Sequence, residues 1–152
     1  MRIWKFASAV LMAVALSAGV ASDVRAAELD SHVAVTAAEV QWKDSTNPLL
    51  PNVQLSVLDG DPTKEGPFVM RIKVPAKYKI PPHWHPADER VTVISGEFNV
   101  GTGDIFDMNA AKMLPAGSFM HMPTGVHHFA FTRVEAVIQL NGIGPWKLVP
   151  VN

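Results

Sequence analysis

The chain has 152 residues, 13 basic and 14 acidic, a formal net charge of −1 and no cysteine. Near-balanced charge without a basic patch argues against nucleic acid as a partner. The lack of thiols excludes disulfides, a cysteine nucleophile and a cysteine-ligated metal, so an exported fold would rest on core packing, oligomerisation or metal.

Residues 1–26 read as a secretory signal peptide. Arg2 and Lys5 give a basic start, Phe6 to Ala21 is apolar and uncharged, and Val24-Arg25-Ala26 fits a cleavage site. The apolar run is about 16 residues, short of the roughly 20 a spanning helix needs, so no membrane association is expected after cleavage. Cleavage removes Arg2, Lys5 and Arg25 but only one acid, Asp23, which takes the net charge to −3. There are no twin arginines and no lipobox cysteine. The expected location is therefore secreted, or periplasmic in a Gram-negative bacterium.

Residues 27–37 form a lead-in, and 38–152 are expected to make one all-β domain. "EVQW" at 39–42 is a short strand candidate. "VQLSVLDG" alternates Val53, Leu55 and Val57 with polar residues and stops at Gly60-Asp61-Pro62; "FVMRIKV" at 68–74 alternates and stops at Pro75. "RVTVISGEFNVG" reads as a hairpin about Ser95-Gly96. "DIFDMNAAKM" at 104–113 is the one helical candidate. "SFMHM", "HHFAFT", "EAVIQLNG" and "WKLVPV" complete the strands. Twelve prolines and ten glycines punctuate them, as in a sandwich or a double-sheet jelly roll.

Two polar groups interrupt this pattern. His83, His85 and Glu89 share the parity of Val91 and Val93, so all three are expected to face inward. Pro81-Pro82 stiffens the approach to His83. Two imidazoles and a carboxylate facing a core are costly unless satisfied, and a divalent metal would use all three. The alternative for H-x-H is a hydrogen-bonded surface pair. In "MHMPTGVHHFAF" at 120–131, a turn at Pro123-Thr124-Gly125 precedes His127-His128, of which one faces inward. His128 shares parity with the small Ala130 and Thr132 and is preferred; His127 is the fallback.

These groups resemble the two motifs of the cupin superfamily. His83, His85, Glu89 and Gly96 meet H-x-H-x-x-x-E-x-x-x-x-x-x-G; Gly117, Pro123, Gly125 and His128 meet G-x-x-x-x-x-P-x-G-x-x-H. The chain is most similar to small single-domain exported members, and loosely to the cupin module of an anti-sigma factor. The resemblance implies a jelly-roll β-barrel and a metal held by His83, His85, Glu89 and His128, with the ion iron, manganese, nickel, copper or zinc. Two positions depart from the pattern. Lys77 stands where the first motif usually has glycine, and Thr132 where the second usually has asparagine.

Other polar residues have plainer roles. His121 is either a partner to a ligand imidazole or a half-buried strand residue. Asp88 and Arg90 are expected to form an exposed ion pair, Arg71 and Lys73 to face solvent, and Trp84 to pack outward, beside Phe98 or a partner subunit. Phe98, Met120 and Met122 are core or pocket residues. Function divides between a metal-dependent enzyme acting on a small oxygen-containing substrate, with dioxygenase chemistry favoured over isomerase, lyase or hydrolase chemistry, and a non-catalytic binding or sensing module. No catalytic residue beyond the ligands stands out. A homodimer is expected, because the apolar strands would gain from a covered edge.

Overall fold

A computed structural model describes residues 32–151. The expected signal peptide, 1–26, lies outside the described residues, as do the first residues of the lead-in. Among the described residues no helix is long and apolar enough to cross a membrane.

Eleven strands follow one 3-10 turn, Ala37–Glu39. They are β1 (Lys43–Asp44), β2 (Gln54–Gly60), β3 (Gly66–Val74), β4 (Lys79–Trp84), β5 (Glu89–Ser95), β6 (Glu97–Thr102), β7 (Lys112–Pro115), β8 (Phe119–Met122), β9 (His128–Phe131), β10 (Ala136–Gly144) and β11 (Val149–Pro150). They build two sheets, ordered β1-β2-β3-β10-β5-β8 and β11-β4-β9-β6-β7; every pairing is antiparallel. The alternation seen in the sequence puts Met70, Ile72 and Val74 of β3, Val91 and Val93 of β5, and Ile138 and Leu140 of β10 on one buried face. Ile80, Phe98, Val100, Leu114 and Ala130 join them in one core cluster.

Three expectations change. "EVQW" is not a strand: Glu39 ends the 3-10 turn and β1 starts at Lys43. Segment 104–113 is not helical. Residues 104–111 are a loop bent by Asp107, whose carboxylate accepts the Asn109 N–H at 2.9 Å, and Lys112 and Met113 open β7. The Phe106 ring of the loop lies 4.9 Å from Phe129 and 6.0 Å from Phe131. That cover explains why β9 is buried on both faces. Gly101 makes room for it, since a Cβ there would sit 2.2 Å from the Phe129 ring.

The third change concerns Ser95-Gly96. β5 and β6 do not pair; β5 joins β10 and β8, whereas β6 joins β7 and β9. The turn is a corner between sheets. Gly96 has φ 73°, and a Cβ on it would meet the Glu135 carbonyl oxygen at 2.1 Å. The backbones therefore pass too closely for any side chain. Lys77 is also left-handed, at φ 58°, a conformation that disfavours a lysine by about 1 kcal/mol relative to glycine.

Two left-handed glycines separate clash from strain. Gly96→Ala is expected to lower stability by about 3 kcal/mol or more, because strain and overlap add. Gly117→Ala, at φ 86° with nothing within 4 Å of the added carbon, should lose only about 1 kcal/mol. Urea midpoints of the two variants test this; equal losses would mean the Glu135 corner yields freely.

Candidate metal centre

The prolines of β4 set the aim of the first histidine. β4 pairs with β9 at Ile80↔Ala130 and next at His83↔His128, with a register shift between them. Three residues of β4 thus span two of β9, and the extra length falls at Pro81-Pro82, where no backbone N–H is available to the ladder. The Pro81 carbonyl is 2.7 Å from His83 Nδ1.

All three buried histidines follow one rule. His85 Nδ1 is 2.9 Å from the Lys147 carbonyl, and His128 Nδ1 is 2.9 Å from the Val126 carbonyl. A carbonyl only accepts, so each Nδ1 carries the proton and donates it, which in the neutral ring leaves Nε2 as a bare lone pair. The potential ligand atoms of His83, His85 and His128 all lie within 4.8 Å of one another. Glu89 faces them from the other sheet, with Oε2 3.6 Å from His85 Nε2 and 3.5 Å from His128 Nε2. His83, His85, Glu89 and His128 are all buried, and His85 Nε2 has no hydrogen-bond partner.

This donor set fits a divalent cation. Two bonds of roughly 2.1 Å meeting at one ion separate their donor atoms by about 3 to 3.5 Å, close to the Glu89–His distances. Without a cation, a carboxylate oxygen and unprotonated Nε2 atoms confront one another. Burial pushes the His83 pKa down to about 4, with the neighbouring His128 adding to the effect. Burial also lowers that of His85. Burial opposes ionisation of Glu89, but a hydrogen bond from a protonated His128 and positive charge at His85, His128 and His83 outweigh it and pull its pKa below the usual carboxylate range; a bound cation would supply the same charge.

Around this cluster lies an internal cavity of about 30 Å³, lined otherwise by apolar residues such as Ile72, Val74, Phe98 and Met120. Trp146 also lines it, stacked on His85 with ring centroids 4.5 Å apart and planes 21° apart, and its buried Nε1 has no partner. Trp146 and the Lys147 carbonyl were not singled out from the sequence. The only local signal was an aromatic residue after Gly144-Pro145.

The remaining polar residues sort by face. His127 is half-exposed, with Nδ1 2.5 Å from Asp104 Oδ1, while its neighbour His128 is the buried one. His121 is exposed and 3.2 Å from Asp88; it does not orient a ligand imidazole, a task that falls to backbone carbonyls. Arg71 bonds Gln139 at 3.2 Å on the outer face, and Lys73 lies over Trp42. Trp84 alternates with His83 and His85 and so points outward, on the opposite face from Phe98, which lines the cavity.

Residues 32–150 match a family described as a domain of unknown function, DUF4437. The chain belongs to the DUF4437 family. No curated protein is significantly similar to it. Among solved structures, this DUF4437 domain is similar to the polyketide cyclase RemF from Streptomyces resistomycificus, with a TM-score of 0.66 at 15% identity over 78% of this chain and 84% of that one. It is also similar to an RmlC-like cupin from Shewanella frigidimarina (TM-score 0.57, 16% identity, 73% and 90% covered). A third is the DMSP lyase DddQ from Ruegeria pomeroyi (0.58, 18%, 83% and 75%). At these identities the likeness is one of fold.

Asp88 ties the two motif loops of the domain together. Its Oδ1 accepts both the N–H and the hydroxyl of Thr124 at 3.0 Å, and its Oδ2 lies 3.2 Å from Arg90 and from His121. Thr124 belongs to the turn before His128, and Asp88 adjoins Glu89. The bonds from Thr124, then His121, hold the Asp88 pKa down at about 2. An unfolded aspartate titrates near pH 3.9, so the clamp stabilises the fold above about pH 4 and is lost as pH falls through about 2. The urea-midpoint gap between wild type and Asp88→Ala should be widest at pH 5 and close by pH 2. A gap constant over that range would take the carboxylate out of the clamp.

Proposed function

We propose that the protein is an exported metal-binding cupin in which His83, His85, Glu89 and His128 hold one divalent ion, and that it is a metal-dependent enzyme acting on a small oxygen-containing substrate. The observation that carries this is the convergence of three Nε2 lone pairs and a carboxylate, each imidazole fixed by a donated Nδ1–H. Enzymes among the fold neighbours, a cyclase and a lyase by name, support catalysis on this architecture without fixing the reaction.

When bound, the ion would polarise an oxygen donor of the substrate or, if redox-active, support dioxygen chemistry. The chain's own contribution is placement and exclusion. Backbone carbonyls orient the rings, Trp146 covers His85, and the unpartnered indole N–H is available to donate to a bound oxygen. Among the described residues lining the cavity, no titratable side chain stands beyond those four. A separate general acid or base is therefore lacking, which favours oxygenase chemistry over lyase or hydrolase chemistry. Export and a homodimer belong to the same reading; Phe119, 60% exposed on the edge strand β8, would gain from a partner.

A second reading, a non-catalytic binding or sensing module, is favoured by the cavity itself. At about 30 Å³ it has room beside an ion for little more than one or two waters.

Elemental analysis of protein purified from its own compartment is expected to find about one divalent ion per chain. His128→Ala should lose at least about 90% of it, in keeping with a removed ligand, and His127→Ala should keep it. Loss confined to His127→Ala would overturn the ligand set. Electron paramagnetic resonance with added azide separates the two readings. A perturbed iron or copper signal supports the enzyme; four-coordinate zinc without exchangeable water leaves only the module.

A further inference from the structure

The two departures from the cupin motifs, Lys77 and Thr132, meet in space. The Thr132 hydroxyl donates to the Pro75 carbonyl at 2.6 Å and accepts the Tyr78 N–H at 3.2 Å, while the Thr132 N–H donates to the Tyr78 carbonyl at 3.0 Å. Thr132 therefore pins the turn in which Lys77 takes its left-handed conformation. A glycine would adopt that conformation without strain. A bulky residue at positive φ is uncommon, and such strained positions concentrate where function requires them.

Lys77 lines a surface cleft of about 270 Å³, together with Lys79, Arg133, Tyr78, Met108 and Phe131. The cleft shares no lining residue with the internal cavity. Three cations line it, and among the described residues no carboxylate does. Two of the cations are already posed over aromatic rings: Lys79 Nζ is 5.3 Å from the Phe106 centroid, and the Arg133 guanidinium is 5.3 Å from that of Phe131. Arg133 is further held by Asn99 Oδ1 at 3.1 Å, with Glu97 at 3.5 Å. Asn99 is fully buried and donates to the Phe131 carbonyl at 3.2 Å, so this side of the cleft is anchored in the fold. Lys77 and Lys79, among the described residues, have no carboxylate partner.

We propose that this cleft is a second ligand site, for a small organic anion. A carboxylate head would meet Lys77, Lys79 and Arg133, and an apolar body would lie on Tyr78, Met108 and Phe131. Charge alone would serve inorganic phosphate equally well. The apolar floor favours an anion with a hydrophobic body, and the volume, below that of most drug-sized pockets, limits it to about one ring.

The test follows amide shifts of the ¹⁵N-labelled protein, purified as its host processes it, on adding benzoate, inorganic phosphate or benzyl alcohol. Benzoate is expected to move residues 77–79 and 131–133 saturably, phosphate at least about threefold more weakly, and benzyl alcohol not at all. Lys77→Gly should weaken benzoate binding at least about threefold while raising the melting temperature by about 2–4 °C, because it relieves the strain. Arg133→Gln should weaken binding without that gain. No benzoate shifts in that cluster, equal affinity for phosphate, or undiminished binding by both variants would each overturn the proposal. Metal content does not enter these readouts, so the outcome is independent of the interior site.

Discussion

Three buried imidazoles, each obliged to donate from Nδ1 to a backbone carbonyl, govern the interior of this protein. Once Pro81, Lys147 and Val126 take those protons, three acceptors are turned toward one another and toward the Glu89 carboxylate. Burial keeps the His83 ring neutral far below ordinary pH, and Glu89 stays ionised only with positive charge facing it. A carboxylate facing three acceptors is unfavourable in an apolar interior unless a cation shares the lone pairs. The metal reading rests on that imbalance more than on the identity of the residues.

The fold creates the imbalance by repeatedly crossing between its two sheets. β4 carries His83 in one sheet; the chain then passes through His85 and the Asp88 loop to deliver Glu89 at the start of β5 in the other. It crosses back after β8, through the turn that Asp88 holds, and arrives at His128 directly across from His83. One carboxylate on the outside thus sets the spacing of two loops whose next residues face inside. Further support comes from the backbone: the Gly125 N–H donates to the His85 carbonyl at 3.0 Å, which joins the second motif to the first without any side chain.

Parity was the most readable part of the sequence. His83, His85 and Glu89 share it with Val91 and Val93, and the structure buries all five; the small neighbours of His128 distinguished it from His127. What local pattern missed depends on distant partners. Ser95-Gly96 carries hairpin chemistry, yet the strands it joins are claimed by β10 and β9, so the turn serves as a corner. The 104–113 segment has helix-forming residues, but Phe106 is worth more as a cover over Phe129 and Phe131 than helical hydrogen bonds are to a short exposed segment. His121 showed only that a histidine sat on a strand, and Trp146 only that an aromatic followed a proline. Which face of the two-sheet fold each would meet is set by residues more than 25 positions away in the chain.

Access to the interior depends on how firmly each wall of the cavity is held. Trp146 and Leu148 close the cavity, and their segment is held by few backbone bonds: Trp146 N–H to the Pro62 carbonyl at 2.7 Å, Val151 N–H to the Pro82 carbonyl at 3.0 Å, and the short pairing of β11 with β4. Elsewhere the cavity is walled by strands paired over several residues, β3, β4, β5, β6, β8, β9 and β10, and by Leu50 and Val53 of the loop before β2. Together with the loop that carries Leu50 and Val53, segment 145–151 is the part of the wall with the fewest strand pairings. It also supplies the Lys147 carbonyl that orients His85. The stretch of chain that walls the cavity with Trp146 and Leu148 is thus the same one that orients the His85 ring.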